Sequence, residues 1–447
     1  MSDNNQDLTR GKIGAQLIGL TIPQFLGIAS MIVASMVDAI YIGILGAREL
    51  AAYSFTYPLI MALFSLSMGL GNGASSIIAR AEGAGEGYKV KRFATHALLL
   101  TLILVMALIW LARSCQSAVF SLMGADAEIH PLIMEYFGLW VLGLVFYTLP
   151  MVASNILRAL GQARMPGIVM AGSSLLQMIL APLMIFGLLG LPELGFLGAA
   201  WAGLITGFVR MVAMLWLVVR SHILLPPGGS LFNGLLISAR DILRIGFPSM
   251  ISGLIGPFSM GVVIWILAEH GPDVVAGFGI TSRIEMLVTM VLMSLSASVG
   301  PFVGQNWGAR RISRVYQALR LSYGFCFFWG VVCLCCLGPF GDLWVSLIND
   351  QPALVTSAAW YLWIVPFTYA FTGIGAVSIS TFIALGYPLP GLTLSFLRMV
   401  AVYIPLALLF NYYWGYIGVF VATAMSNVLM GAIAWFWCGR FIRTKSA

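Results

Sequence analysis

Long apolar runs separated by short polar breaks recur from one end of the chain to the other. Twelve of them have the length of a membrane-spanning helix: 14–44, 50–78, 93–115, 131–153, 163–188, 195–219, 241–268, 274–304, 317–340, 357–385, 390–412 and 415–439. A hydrocarbon core of about 30 Å needs about 20 residues at a rise of about 1.5 Å each. In lipid, backbone N–H and C=O groups must pair within the protein, and an apolar run of this length does so as a helix. The pattern predicts an all-α integral membrane protein of about twelve transmembrane helices. The polar start MSDNNQDLTRGK lacks a small-residue cleavage site and does not read as a signal peptide.

Composition agrees. Of 447 residues, 60% are hydrophobic and 9% charged, with a mean hydropathy of +0.97. A soluble chain carries about a quarter charged residues, so lipid is the expected solvent of this surface. The net charge of +7 suggests anionic or nucleic-acid partners, but the placement of the basic residues points to sidedness instead. With the N-terminus inside, only Arg48 and Arg113 fall on the outer side, and Arg210, Arg283 and Arg398 fall within spans. The other 18 of the 23 (23 − 2 − 3) lie on cytoplasmic segments or span ends. That bias predicts two cytoplasmic termini in a multi-pass cell-membrane protein with no nucleic-acid partner. The six cysteines form no disulfide framework. Cys333-x-Cys335-Cys336 has the softness of a metal site, but free cysteine in an apolar segment reads as a small hydrophobe, so no metal is expected.

The sequence also matches itself. At a shift of 225 residues Pro23 falls on Pro248, Gly46 on Gly271, Gly83-Ala84 on Gly308-Ala309, and Ala159-Leu160-Gly161 on Ala384-Leu385-Gly386. Gly195-Phe196-Leu197-Gly198 has a counterpart in Gly415-Tyr416-Ile417-Gly418. Collinear Pro and Gly constrain the backbone, so matching positions imply matching helix breaks. Six spans per half return the second half to the orientation of the first. The expectation is two pseudo-symmetric six-helix lobes in a parallel repeat, 1–221 and 240–447, joined by a cytoplasmic linker over 222–239. Its breaker cluster Pro226-Pro227-Gly228-Gly229 reads as a hinge or as an ordinary loop.

Three stretches carry a family resemblance. The first span and its exit read Pro23…Met36-Val37-Asp38-Ala39-Ile40-Tyr41-Ile42-Gly43-Ile44-Leu45-Gly46, then Leu50-Ala51-Ala52-Tyr53. The fourth span is followed by Leu160-Gly161-Gln162-Ala163-Arg164-Met165-Pro166, and the eighth by Gly304-Gln305-Asn306-Trp307-Gly308-Ala309-Arg310. In this order and spacing the chain resembles the multidrug and toxic compound extrusion (MATE) family over nearly its whole length. The resemblance implies efflux of organic cations in exchange for protons or sodium, with the lobes opening alternately to either side.

Asp38 is the residue expected to couple the ion. Positions 13–47 hold no other charge, and an acid at the centre of a span costs about 2.5–3.5 kcal/mol on insertion scales, so its default reading is functional. Desolvation favours its neutral form and a bound cation favours the anion, which gives a basis for exchange. The structural reading is an aspartate satisfied by Ser35 and Tyr41, one turn either side. Asn155, Gln177 and Thr206, on the fourth, fifth and sixth spans, can converge with Asp38. Glu285 is a second anionic contact, or else the partner of a charge on another helix; Arg283, two residues before it, lies on a different helix face. Arg210, Arg283 and Arg398 are expected to lock helices together through anionic or carbonyl partners.

The resemblance also marks departures. Many prokaryotic relatives place an aspartate in the fifth span where this chain reads Gln177-Met178-Ile179-Leu180-Ala181-Pro182, so the second carboxylate is replaced by Ala181. Relatives with a cation site in the C-terminal lobe use acids in the seventh and tenth spans; this chain has no acid between Asp241 and Glu269, and none after Asp350. The first departure favours protons over sodium; the second leaves coupling to Asp38, with Glu285 as the only other deep candidate. Aromatic residues Tyr41, Tyr53, Tyr57, Tyr147, Trp265, Phe278 and Tyr369 can line a cavity for flat cations or pack as ordinary core.

A major facilitator transporter shares the duplicated plan, but its basic loop after the second span is missing. A lipid-linked saccharide flippase would place several cations in its cavity, against three arginines within spans here. A membrane-embedded enzyme would need an HExxH, paired intramembrane aspartates or a Ser/His arrangement, none of which occurs. The expectation is a non-enzymatic exporter of small organic cations or other amphiphiles, without a cofactor.

Overall fold

The computed structural model describes residues 7–126, 128–190, 192–226, 232–346 and 351–446. These residues are helical throughout, without a strand. The first half holds α1 (Ile13–Leu45), α2 (Ala47–Gly83), α3 (Gly87–Leu122), α4 (His130–Leu142), α5 (Leu144–Ala159), α6 (Arg164–Ile185) and α7 (Phe196–Arg220). The second holds α8 (Leu235–Ala268), α9 (Pro272–Gly308), α10 (Ile312–Leu337), the short α11 (Gly341–Ser346), α12 (Pro352–Ile364) and α13 (Tyr369–Ala384). It continues with α14 (Pro388–Phe396), a π-helical turn over Leu397–Tyr403, α15 (Ile404–Trp414) and α16 (Tyr416–Ser446).

Among the described residues eleven helical spans are long and apolar enough to cross a membrane; the bent pair α4–α5 makes a twelfth. The pair turns by 41° at Gly143, where a Cβ would lie 2.3 Å from a Leu204 methyl carbon. The outward faces carry side chains such as Trp110 (72% exposed) and Phe258 (62% exposed), suited to lipid and costly in water. The breaker residues Pro227-Gly228-Gly229 lie outside the described residues.

The chain forms two compact units, one of residues 22–250 with the first seven, the other of Leu8–Thr21 with Ile251–Ala447. In the first, α6 packs along α7, and α2 along α3 and α5. Glycines let backbones meet in this unit. A Cβ on Gly73 would lie 2.5 Å from the Ile242 carbonyl oxygen, and one on Gly69 2.8 Å from that of Gly246, so the first part of α8 sits directly on α2. In the second, α13 packs between α9, α10 and α16. The unit boundaries fall within α1, just before Pro23, and within α8, just after Pro248. Each half therefore begins its first helix in one unit and completes it in the other.

The duplication extends to backbone conformation. After α5, Gly161 (φ 80°) takes the left-handed region, and the Gln162 N–H donates to the Leu157 carbonyl. After α13, 225 residues on, Gly386 (φ 86°) does the same, with Tyr387 donating to Phe382. This is the glycine-terminated helix end that satisfies the last carbonyls. The pattern repeats after α2 and α9, but there Gly85 (φ 73°) is matched by Arg310 (φ 57°).

The Gly304–Arg310 stretch has a local task in the second unit. Gln305 accepts a hydrogen bond from the Leu8 N–H (3.2 Å), and Asn306 Nδ2 donates to the Leu8 carbonyl (3.0 Å). Arg314 donates to the carbonyls of Leu8 and Gly11 and to Gln16 Oε1, and Arg311 to the Thr9 carbonyl. Residues 8–16 are thus clamped to the end of α9 and the start of α10, with Leu8 fully buried.

Candidate functional site

In the first unit a polar relay crosses three helices inside the apolar bundle. Asp38 projects from α1, and Gln177 Nε2 on α6 donates to its Oδ2 at 3.1 Å. Gln177 Oε1 in turn accepts from Thr206 Oγ1 on α7 at 2.7 Å. Thr206 also lies within hydrogen-bond distance of the carbonyls of Ala202 and Gly203 on its own helix, which fixes its rotamer. The second carboxylate oxygen, Oδ1, is shut off from solvent and has no hydrogen-bond partner. A buried carboxyl group with one satisfied oxygen has one position open, for a proton or for a ligand donor.

Aromatic residues flank the relay. The charge of Asp38 reaches Tyr53, Tyr136 and Tyr147. Tyr53 meets Tyr136 edge-on at 5.8 Å, Tyr136 stacks on Phe196 at 4.5 Å, and Tyr147 stacks with Trp140 at 5.7 Å. Tyr41 meets Phe186 edge-on at 6.2 Å. Gly203 makes room for Tyr147: a Cβ there would lie 2.5 Å from the phenol oxygen. Ala181 is fully buried, packed in a cluster with Ile42 and Ile185, so apolar packing fills the place where relatives carry an aspartate.

Other residues expected in the site fall elsewhere. Asn155 accepts from Arg158, three residues on in α5, and presses against Gly71 of α2. Ser35 donates to the Ile32 carbonyl (2.9 Å) of its own helix and is exposed. In the second unit Glu285 accepts from the buried Tyr361, and Arg398 is near enough for its charge to act on Glu285. Phe278 meets Tyr361 edge-on at 5.7 Å, the Tyr369 hydroxyl is buried without a partner, and Trp265 is 64% exposed. Arg283 is exposed.

Arg210 departs from its expected role. It makes no hydrogen bond or ion pair with any described residue, and its Nε is buried without a partner. Its guanidinium lies 5.0 Å from the centroid of the Tyr147 ring. Sequence reading took it for a helix lock because an arginine within a span normally has an anion to pair with. Among the cysteines, Cys333 is buried while Cys335 and Cys336 are exposed. No group of three His, Cys, Asp or Glu able to hold a metal occurs among the described residues.

Multiple spans in two halves with the same helix-terminating turns, and an acid tied into a polar relay among them, are the features of a membrane transporter. The family model described as MatE matches residues 23–183 and again 248–409, starting at the paired Pro23 and Pro248. The chain belongs to the MatE family. It is similar to the FAD transporter of Shewanella oneidensis, at 31% identity over 440 residues, covering 98% of this chain and 97% of that protein. It is also similar to the probable multidrug resistance protein YpnP of Bacillus subtilis, at 25% identity over 98% of both chains. Among solved structures, an aspartate-to-asparagine mutant of the Vibrio cholerae MATE transporter VcmN superposes with a TM-score of 0.93. Its identity to this chain is 26%, and 97% of each is covered.

Proposed function

We propose that this protein is a secondary active antiporter that exports hydrophobic or cationic small organic molecules in exchange for protons. In this reading its two six-helix lobes, 1–221 and 240–447, alternate access to either side of the cell membrane, and both termini are cytoplasmic. The observation that carries it is Asp38: a carboxyl group on an apolar span, tied to Gln177 and Thr206 through one oxygen and free at the other. A proton on Oδ1 neutralises the group and suits the apolar bundle. A cationic cargo favours the anion and displaces the proton, so the two ligands exclude each other. The surrounding tyrosines offer ring faces to a flat cation. The names of YpnP and of the multidrug export protein MepA of Staphylococcus aureus, 25% identical over 94% of this chain, support a drug-like cargo.

Protons are favoured over sodium by the donor set. Sodium needs several oxygens, but Gln177 turns its amide nitrogen to Asp38 and engages its oxygen with Thr206, while position 181 supplies no carboxylate. A lipid-linked saccharide flippase is the less supported alternative, since a single arginine borders this relay. A second reading, export of FAD, is favoured by the relative that shares 31% of residues over 98% of the chain and bears that name.

The test is transport of ethidium into inside-out proteoliposomes under an imposed pH gradient. Wild type should accumulate the dye against its gradient, and Asp38→Asn should fall to the rate of protein-free vesicles. Unchanged gradient-driven transport in Asp38→Asn removes that residue from the mechanism. Transport driven by a sodium gradient at uniform pH overturns the choice of ion.

A further inference from the structure

Arg210 is a half-buried arginine next to the relay that carries Asp38, and it hydrogen-bonds to no described residue. It lies ten residues from the Arg220 end of α7 and fourteen from the Phe196 end, about 15 and 21 Å along the axis. An arginine side chain is too short to carry its charge to either membrane surface over those distances. Its Nε is closed off from solvent, and among the described residues no carboxylate, carbonyl or hydroxyl accepts from it. The titratable side chain beside it is Tyr147, whose phenol is uncharged at neutral pH. Charges withdrawn from water are otherwise paired, because an unpaired one is costly. The Tyr147 face offsets only part of that cost.

The surroundings show where a partner fits. Thr206 and Arg210 are four residues apart on α7 and share a face, so the guanidinium lies one turn along from the relay's last hydroxyl. Tyr147 adjoins both charges: Arg210 stands over its ring, and the charge of Asp38 reaches its phenol. Of the other two arginines within spans, Arg283 is exposed and Arg398 has an acidic neighbour in Glu285; among the described residues Arg210 has none. A planar fork of N–H donors over an aromatic face is the arrangement that binds a carboxylate or phosphate through two parallel hydrogen bonds.

We propose that Arg210 is an anion-recognition residue of the transport site, and that the cargo includes aromatic amphiphiles bearing a phosphate or carboxylate group. This rests on the exporter reading above and extends its cargo from cations to zwitterions and anions. Asp38 handles the proton, Arg210 the anionic group, and Tyr147 with Trp140 the ring system. The two charges belong to separate tasks, so an anion on Arg210 leaves the exchange at Asp38 available.

Riboflavin and flavin mononucleotide test this, since they share a ring and differ by one phosphate. Binding to the purified full-length protein in nanodiscs is followed by quenching of flavin fluorescence. Wild type should bind the mononucleotide about ten- to a hundredfold more tightly than riboflavin, the range for a charge-assisted contact. Pyrophosphate should compete with the mononucleotide. Arg210→Gln should abolish the preference, and Arg210→Lys, which keeps the charge but loses the fork, should retain part of it. Equal binding of the two flavins by wild type overturns the proposal whether or not the variants fold. So does a parallel loss of both flavins in Arg210→Gln, which marks a structural arginine. A benzoate-bearing dye against its neutral ester separates a phosphate-specific site from a general anion site. The readout is equilibrium binding without a gradient, so its failure is distinct from a failure of proton-driven ethidium transport.

Discussion

At the scale of single residues, the polar groups within the spans differ in what satisfies them. Asp38 and Arg210 each keep a buried atom without a partner, whereas Glu285 has Tyr361 and Asn155 has Arg158. Unsatisfied groups are expensive in an apolar bundle, and Arg158 and the Tyr369 hydroxyl bear that cost too, so it is the placing of Asp38 and Arg210 beside one relay that supports the proposed transport site. Backbone strain is also legible here. Arg310 holds a left-handed conformation that its counterpart Gly85 adopts without cost. Arg310→Gly should therefore stabilise the protein by about 1 kcal/mol, read as a higher melting temperature in detergent. A lower melting temperature would show that the arginine side chain contributes more than its backbone costs.

At the scale of elements, the Gly304–Arg310 stretch turns out to be a joint. Asn306 is fully buried, donates to the carbonyls of Leu8 (3.0 Å) and Phe302 (2.8 Å), and accepts from Arg314 Nε at 2.9 Å. Truncating it leaves several buried groups unpaired, at about 1–3 kcal/mol for each such group. Asn306→Ala should release residues 8–16 and let the backbone at the already exposed Arg10 and Lys12 enter the trypsin site, read as faster loss of an N-terminal tag at an unchanged rate of cleavage elsewhere. Equal protection in the variant would show that Gln305 and Arg314 hold the segment without it. The clamp grips the segment that leads into α1, and α1 ends with Asp38 in the other unit. Sequence could show the Gly-Gln-Asn stretch but not its partner, which lies about three hundred residues away.

At the scale of the whole molecule, duplication repeats the helix order, the glycine-terminated turns and the exchange of first-helix segments between units. The chemistry is not repeated: Val263 stands 225 residues after Asp38. Orientation follows from the basic residues. Under the proposed orientation, with both termini in the cytoplasm, a C-terminal fusion to green fluorescent protein should fluoresce and one to alkaline phosphatase should be inactive. The opposite pair of results would invert the topology.

The sequence by itself determined the spans, the repeat and the identity of Asp38. Each is local information: span length is set by bilayer thickness, a Pro or Gly fixes the backbone where it stands, and an acid in an apolar run is conspicuous without its neighbours. Gln177 and Thr206 were also legible, as polar groups on the right spans. Tertiary structure decided what each polar group touches, because a span's position in the chain does not give the direction in which a side chain points across the bundle. It paired Asn155 with Arg158, a three-residue spacing already visible in the chain. It left Arg210 without the partner that a charge within a span requires, which no reading of the chain alone could show.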